Sequence, residues 1–194
     1  MEQLNLSLKK YFYFPEDLLK EINGVMEVDL FQREHIILNK GQVNHRVYFI
    51  VSGLIKIVGE ENDKPVIPYI LKKNDFVIAT DSYFCGDPTE CQIIAVEDTE
   101  VVFATREQLQ MIGRKYPELE IGINKIQASY RKEYEKRNNL LNKMEPFEKY
   151  EWFITKKSDL MGRLKDEEIW VYLNMSRNAY YDCKNGKHKG KGGK

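Results

Sequence analysis

From Met26 to Thr105 the sequence is a succession of short strings rich in β-branched and aromatic residues, cut at fairly even spacing by turn-forming residues. The clearest strings are His35 to Leu38, Val47 to Val51, Leu54 to Val58, Val66 to Leu71, Gln92 to Val96 and Val101 to Thr105. They are separated by Asn39-Lys40-Gly41, Ser52-Gly53, Glu61-Asn62-Asp63, Lys73-Asn74-Asp75 and Glu97-Asp98-Thr99. Those residue types supply the left-handed or side-chain-bonded conformations that tight turns need. About eight short strands without intervening helices predict an antiparallel sandwich or jelly roll.

Helical periods flank this region. Before it, Leu8, Phe12, Leu18, Leu19 and Ile22 fit one or two short helices, with Pro15 in a first turn and Asn23-Gly24 as the stop. After it, Leu109 and Ile112 mark a short helix ending near Tyr116-Pro117, and a longer one follows from Glu118 to about Lys143 with no proline inside it. Read in sevens, Leu119, Ile123, Ile126, Tyr130, Arg137, Leu140 and Met144 form a seam, with Glu133 the exception and Tyr134 and Leu141 beside it. A helix this long needs a partner. Its twin in a parallel homodimer is the simplest one, and its own β domain is the other. Beyond Met144, the segments Glu145 to Ile154, Asp159 to Leu164, Asp166 to Leu173 and Ser176 to Asn185 read as small helices of one compact unit.

Composition narrows the function classes. Hydrophobic residues at 42% and charged residues at 31% describe an ordinary folded chain with a real core. The start, MEQLNLSLKKYFYF, lacks the pattern of a signal peptide, and no segment has about 18 consecutive apolar residues, so a cytoplasmic protein without membrane contact is expected. Cys85, Cys91 and Cys183 have no CxxC spacing and read as reduced thiols, and His35 and His45 are isolated, so no metal site is expected. There is no nucleophile elbow, Walker loop or HExxH, so an enzyme is not expected. Net charge is zero, yet from Glu145 to Lys194 eleven Lys and Arg stand against eight Asp and Glu, and KNGKHKGKGGK at the end has no acid. Any nucleic-acid contact is expected at this end.

The string KDEEIWVYLNMSRNAYYDCKNGK carries the most information. Asp166, Glu167 and Glu168 put negative charge on the first turn of a helix, and Ile169, Tyr172 and Leu173 form its apolar face. Asn174 can take the left-handed conformation of a tight turn, Met175 can plug the core between two helices, and Ser176 is a good N-cap. A helix, a three-residue turn and a second capped helix make a helix-turn-helix.

This string resembles the C-terminal motif of the Crp/Fnr family of transcriptional regulators, in particular its short Bacteroidetes-type members, whose pattern I-A-x-Y-L-G-I-[ST]-x-E-[TS]-[LV]-S-R-I is matched at Ile169, Tyr172, Leu173 and Ser176. Gly41, VYFIVSGLIKIV from Val47 and AVEDTEVVFATREQL from Ala95 are similar to the cyclic-nucleotide-binding-like β-roll of the same family. The resemblance implies an α+β chain in three parts. Residues 1–116 would be the antiparallel β-roll sensor, a double-stranded jelly roll. Residues 117–144 would be the dimerisation helix, and 145–194 a helix-turn-helix DNA-binding domain with a basic tail and no full wing. It further implies a homodimer that binds double-stranded DNA through Ser176, Arg177, Asn178, Tyr181, Lys184 and Lys187, with Lys189, Lys191 and Lys194 within reach of phosphates. Asn178 stands where the family has its base-reading Glu, Tyr181-Asp182 replace its Ser-Arg pair, and Trp170 replaces a small residue of helix packing. Arginine bidentate to guanine is the commonest specific major-groove contact, so the family operator does not carry over.

In ligand-responsive members, a Gly-Glu pair and an Arg on a short helix cradle a cyclic phosphate. The corresponding stretch here is FVIATDSYFCGDPTECQ, and no Lys or Arg occurs from Asp75 to Thr105. Placing Asp81, Asp87 and Glu90 around a phosphate without a cation would cost several kcal/mol. Cyclic AMP in the usual pose is therefore not expected. A small-molecule effector, if there is one, is neutral or apolar, and Phe76, Ile78, Ala79, Tyr83, Thr89, Gln127, Tyr130 and Arg131 are the candidate lining. No cofactor is expected. Two readings from other classes stand beside the regulator. One is a small-molecule-binding or protein-interaction module whose helix-turn-helix no longer binds DNA. The other is a cupin-type enzyme, which needs a clustered His and Glu metal set that the sequence lacks.

Overall fold

A computed structural model describes residues 1–187. Two N-terminal helices, α1 (Glu2–Lys9) and α2 (Glu16–Val25), precede eight strands: β1 (Glu27–Phe31), β2 (Ile36–Leu38), β3 (Arg46–Ser52), β4 (Leu54–Glu61), β5 (Lys64–Lys72), β6 (Phe76–Val77), β7 (Gln92–Ala95) and β8 (Thr99–Thr105). One short helix, α3 (Thr80–Cys85), interrupts them. Then come α4 (Arg106–Lys115), α5 (Glu118–Leu141), α6 (Pro146–Lys156), a single 3-10 turn at Ser158–Leu160, α7 (Asp166–Tyr172) and α8 (Arg177–Lys184).

The strands form two antiparallel four-stranded sheets, ordered β1-β8-β3-β6 and β2-β7-β4-β5, which enclose a core of Tyr48, Ile50, Ile55, Ile57, Ile93, Val101 and Phe103. β3 and β8 are apolar at consecutive positions because both faces of their sheet are covered. Tyr48 and Ile50 point into the roll, whereas Phe49 points out at Leu4, Phe14, Leu18 and Leu119. The β4–β5 hairpin closes with Asn62 and Asp63 both at positive φ, 52° and 58°, which matches the right-handed twist of the paired strands.

Three expectations are corrected. β1 was not among the clear strings, because it is an edge strand whose Val28 and Leu30 are 63% and 72% exposed. Asn23-Gly24 do not stop α2; the helix ends when Met26 turns extended and enters β1. The segment Asp159 to Leu164 holds only the 3-10 turn, since Gly162 sits at φ 76° and breaks any continuing helix.

The proposed seam of α5 is largely used within the chain. Leu119 and Ile126 are 3% and 6% exposed in the cluster that joins α1, α2 and α4 to the first sheet, with Ile123 and Tyr130 packed beside them. Gly122 lets this face come close, because a Cβ there would collide with the Phe14 ring. Of the seam residues Leu140 is exposed, and on the opposite side of α5 Ile121 is 46% exposed. No helix among the described residues is long and apolar enough to cross a membrane.

Candidate nucleic-acid interface and effector cleft

The C-terminal motif has the geometry its sequence dictates. Asn174 stands at φ 50°, supplying the left-handed residue of the turn, and the Ser176 Oγ accepts from the Ala179 N–H at 3.2 Å to cap α8. Met175 is half-buried against the core formed by Phe153, Leu160, Ile169, Tyr172 and Leu173. Ser176, Arg177, Asn178, Lys184 and Lys187 are exposed, and Tyr181 is half-buried. Lys189, Lys191 and Lys194 lie outside the described residues.

A grip on α8 escaped the sequence reading. Tyr180, 1% exposed, donates its hydroxyl to Asp166 Oδ1 at 2.8 Å, and Lys184 one turn later donates to both Asp166 oxygens at 2.7 Å. Lys184 holds the Asp166 carboxyl below the usual carboxylate range. Trp170, where the family has a small residue, lies 5.9 Å from the rings of both Tyr180 and Tyr181. Lys184 is thus engaged inside the unit, whereas Arg177, Asn178 and Lys187 are exposed and make no ion pair among the described residues. The i, i+4 spacing of Tyr180 and Lys184 was the available signal.

This unit does not stand apart from the β-roll. Leu54 and Ile67 of the strands and Val96 just after β7 share its core, and ion pairs run between the two parts. Glu168, 6% exposed, meets Lys56, 12% exposed, and its other oxygen accepts from the Lys165 N–H at 2.7 Å. Arg163 donates to Glu97 at 2.6 and 3.1 Å and to the Gly53 carbonyl at 3.2 Å. Lys72 pairs with Asp159 at 2.6 Å and Lys165 with Glu34 at 2.9 Å. These partners lie far apart in the chain, and nothing local in the sequence announces them.

On one flank of α5 an open cleft of about 790 Å³ lies against the roll. Phe76, Ile78, Ala79, Gln127, Tyr130 and Arg131 line it, together with Tyr69 and Tyr134, which the sequence reading missed. Tyr130 Oη accepts from the Phe76 N–H at 2.8 Å, and burial raises its pKa. The Gln127 Nε2 is buried and has no partner among the described residues. Arg131 is the cleft's one cation among the described residues and pairs with Glu135 at 3.0 Å, while Asp81 adds a second acid.

Tyr83 and Thr89 do not belong to this lining. Tyr83 is buried on α3 with the Arg106 guanidinium 5.9 Å from its ring, and burial pushes its hydroxyl up to about 12. Thr89 is buried in the loop before β7, where its Oγ1 accepts from the Cys91 N–H at 3.2 Å and its backbone bonds to Gly41 and Gln42. Among the described residues no group of three or more His, Cys, Asp or Glu is placed to hold a metal ion.

Residues 28–116 match the cyclic nucleotide-binding domain family. Across nearly the whole chain the fold matches solved structures. A Crp/Fnr-family putative transcriptional regulator from Eubacterium rectale superposes with a TM-score of 0.73 at 15% identity, covering 91% of this chain and 87% of that one. CLP, the c-di-GMP-responsive global regulator of Xanthomonas campestris, gives 0.71 at 13% identity, covering 89% and 91%. FixK2 from Bradyrhizobium japonicum gives 0.71 at 15% identity, covering 88% and 90%. The β-roll, the long helix and the C-terminal helices are therefore one shared fold, and the α+β architecture expected from the sequence is the observed one.

Proposed function

We propose that this chain, a cyclic nucleotide-binding domain set within the fold of the Crp/Fnr transcriptional regulators, is itself a DNA-binding transcriptional regulator that acts without catalysis. Residues 1–116 serve as sensor, 117–144 as connecting helix and 145–194 as DNA-binding part. The observation that carries the reading is the capped turn: Asn174 at φ 50° and Ser176 on the Ala179 N–H set the start of α8, leaving Arg177 and Asn178 exposed beside it. Those are the donors and acceptors that read base edges when a helix enters the major groove at its N-terminal end. Lys187, exposed just beyond α8, serves as a phosphate contact that positions the helix without reading sequence.

The regulator acts as a homodimer whose contact uses the outer side of α5 around Ile121, since the inner side is spent on the chain's own roll. A twofold axis presents two recognition helices about 34 Å apart, so the preferred site is an inverted repeat with half-site centres about ten base pairs apart. Cyclic AMP in the usual pose is disfavoured in the cleft beside Tyr69 and Tyr134, whose single cation is already paired.

Selection from a random duplex pool tests this. The expected product is such an inverted repeat, with base preference relaxed by Arg177→Ala. Recovery of no repeat, together with indifference to Arg177→Ala, would favour the module that has lost DNA contact.

A further inference from the structure

The two flanks of α5 carry opposite charge. Across the helix from the tyrosine-lined cleft, a second cleft of about 670 Å³ is bounded by β5, α5, α6 and Tyr172 of α7. Its lining holds Lys72, Lys132, Lys136, Arg137 and Lys157 against Asp75 and Glu133, whereas the first cleft sets Arg131 against Asp81 and Glu135. Lys72 is taken by Asp159. Among the described residues, Lys132, Lys136, Arg137 and Lys157 make no ion pair within 4 Å.

Arg137 is the telling residue. It is half-buried, stacked 4.2 Å from the Tyr172 ring centroid and 5.3 Å from that of Tyr134, and its Nη2 reaches the Ile67 carbonyl at 3.4 Å. Its Nε is buried without a partner among the described residues. Nη2 also donates to the Asn138 Oδ1 at 3.3 Å, so this half-buried guanidinium, which does not shed its proton, meets rings and neutral oxygens but no carboxylate within 4 Å among the described residues. Four aromatic residues, Tyr69, Tyr134, Trp152 and Tyr172, stand among the lining. A volume of this size suits a small organic ligand, not a single inorganic ion.

We propose that this cleft binds a small organic anion carrying a flat ring and at least two negative charges, with its ring among Tyr69, Trp152 and Tyr172 and its charge on Arg137, Lys132 and Lys136. Because the walls come from β5, α5, α6 and α7, an occupant touches the sensor, the connecting helix and the helix-turn-helix at once. Occupancy therefore bears on how these parts are held together. The site adjoins the cleft on the other flank along Pro68, Tyr69, Leu71, Tyr130 and Tyr134, but its cations are not shared with it, and it does not depend on DNA binding.

Calorimetric titration of the full chain, without DNA, tests the proposal with four probes: AMP and phthalate as ringed dianions, adenosine as ring alone and inorganic phosphate as anion alone. At least one ringed dianion is expected to saturate, at least about tenfold tighter than adenosine or phosphate. The exposed pair Lys132→Ala with Lys136→Ala is expected to weaken it by about tenfold or more, and Arg137→Gln further, while Arg131→Gln on the opposite flank leaves it unchanged. The lysine pair is solvent-exposed, so the test survives if Arg137→Gln fails to fold. Saturation by neither dianion, equal binding of phosphate or adenosine, or loss on Arg131→Gln in place of the lysine pair overturns the site. So does an unchanged affinity for the ringed dianion in the lysine-pair variant.

Discussion

The two sheets of the β-roll are covered in different ways. The first presents Phe49, Val102 and Ala104 to α1, α2, α4 and α5, and the contact is aliphatic and aromatic throughout its core. The second meets the C-terminal unit through Leu54, Ile67 and Val96, but around them lie the pairs of Lys56 with Glu168, Arg163 with Glu97, Lys72 with Asp159 and Lys165 with Glu34. Apolar burial carries no charge to screen or titrate, whereas the exposed charge pairs weaken as salt rises and as their carboxylates are protonated, and the buried pair is screened much less. The contact of α5 with the first sheet therefore rests on apolar burial, whereas that of the C-terminal helices with the second adds charge pairs to its apolar core.

The largest effect belongs to the apolar side. Phe14, 1% exposed and pressed against Gly122, should cost roughly 3–5 kcal/mol when truncated to alanine, with the same loss at low and high salt in urea unfolding. Next is the buried pair. Lys56→Met alone strands the Glu168 carboxylate and should cost roughly 3 kcal/mol, whereas Lys56→Met with Glu168→Gln should recover most of it, because the amide oxygen still accepts from the Lys165 N–H. A double variant as unstable as the single one would mean that packing, not charge, governs this contact.

Acid sharpens the comparison. Lys165 holds the Glu34 carboxyl, and Lys72 the Asp159 carboxyl, below their ordinary values. A depressed carboxylate pKa contributes stability above the unfolded value, and that contribution is lost as pH falls through the folded one. Between neutral pH and about pH 5 the contribution should hold, and below about pH 4 it should fade, so amides of 158–184 should lose hydrogen-exchange protection before those of α2 and β3. Simultaneous loss would break the distinction between the two faces. The smallest effect is at the rim: Lys72→Ala removes a half-exposed pair and should cost about 0.2–1 kcal/mol, vanishing at 1 M salt.

Local chemistry was legible in the sequence, and long-range pairing was not. Asn174 and Ser176 could be read because a left-handed turn residue and an N-cap act within three residues of themselves. The strings Val47 to Val51 and Val101 to Thr105 stood out because both faces of their sheet are buried. β1 did not, since Val28 and Leu30 face outward at an edge. The helical period of α5 marked an apolar face but not what would cover it, and the chain's own N-terminal helices took part of the surface assigned to a second copy. Glu168 finding Lys56, Arg137 lying on Tyr172, and a cleft with Tyr69 on one side and Trp152 on the other all depend on topology, which no local period encodes.

The central claim is that α8 delivers this chain to DNA, and the salt dependence of duplex binding tests it most directly. Fluorescence anisotropy of a labelled duplex should give an affinity that falls linearly on a logarithmic salt scale, because each phosphate contact releases counterions, with Arg177→Ala lowering base preference more than it lowers the slope. An affinity that is flat from about 50 to 200 mM salt, or no binding at the low end of that range, would contradict the account.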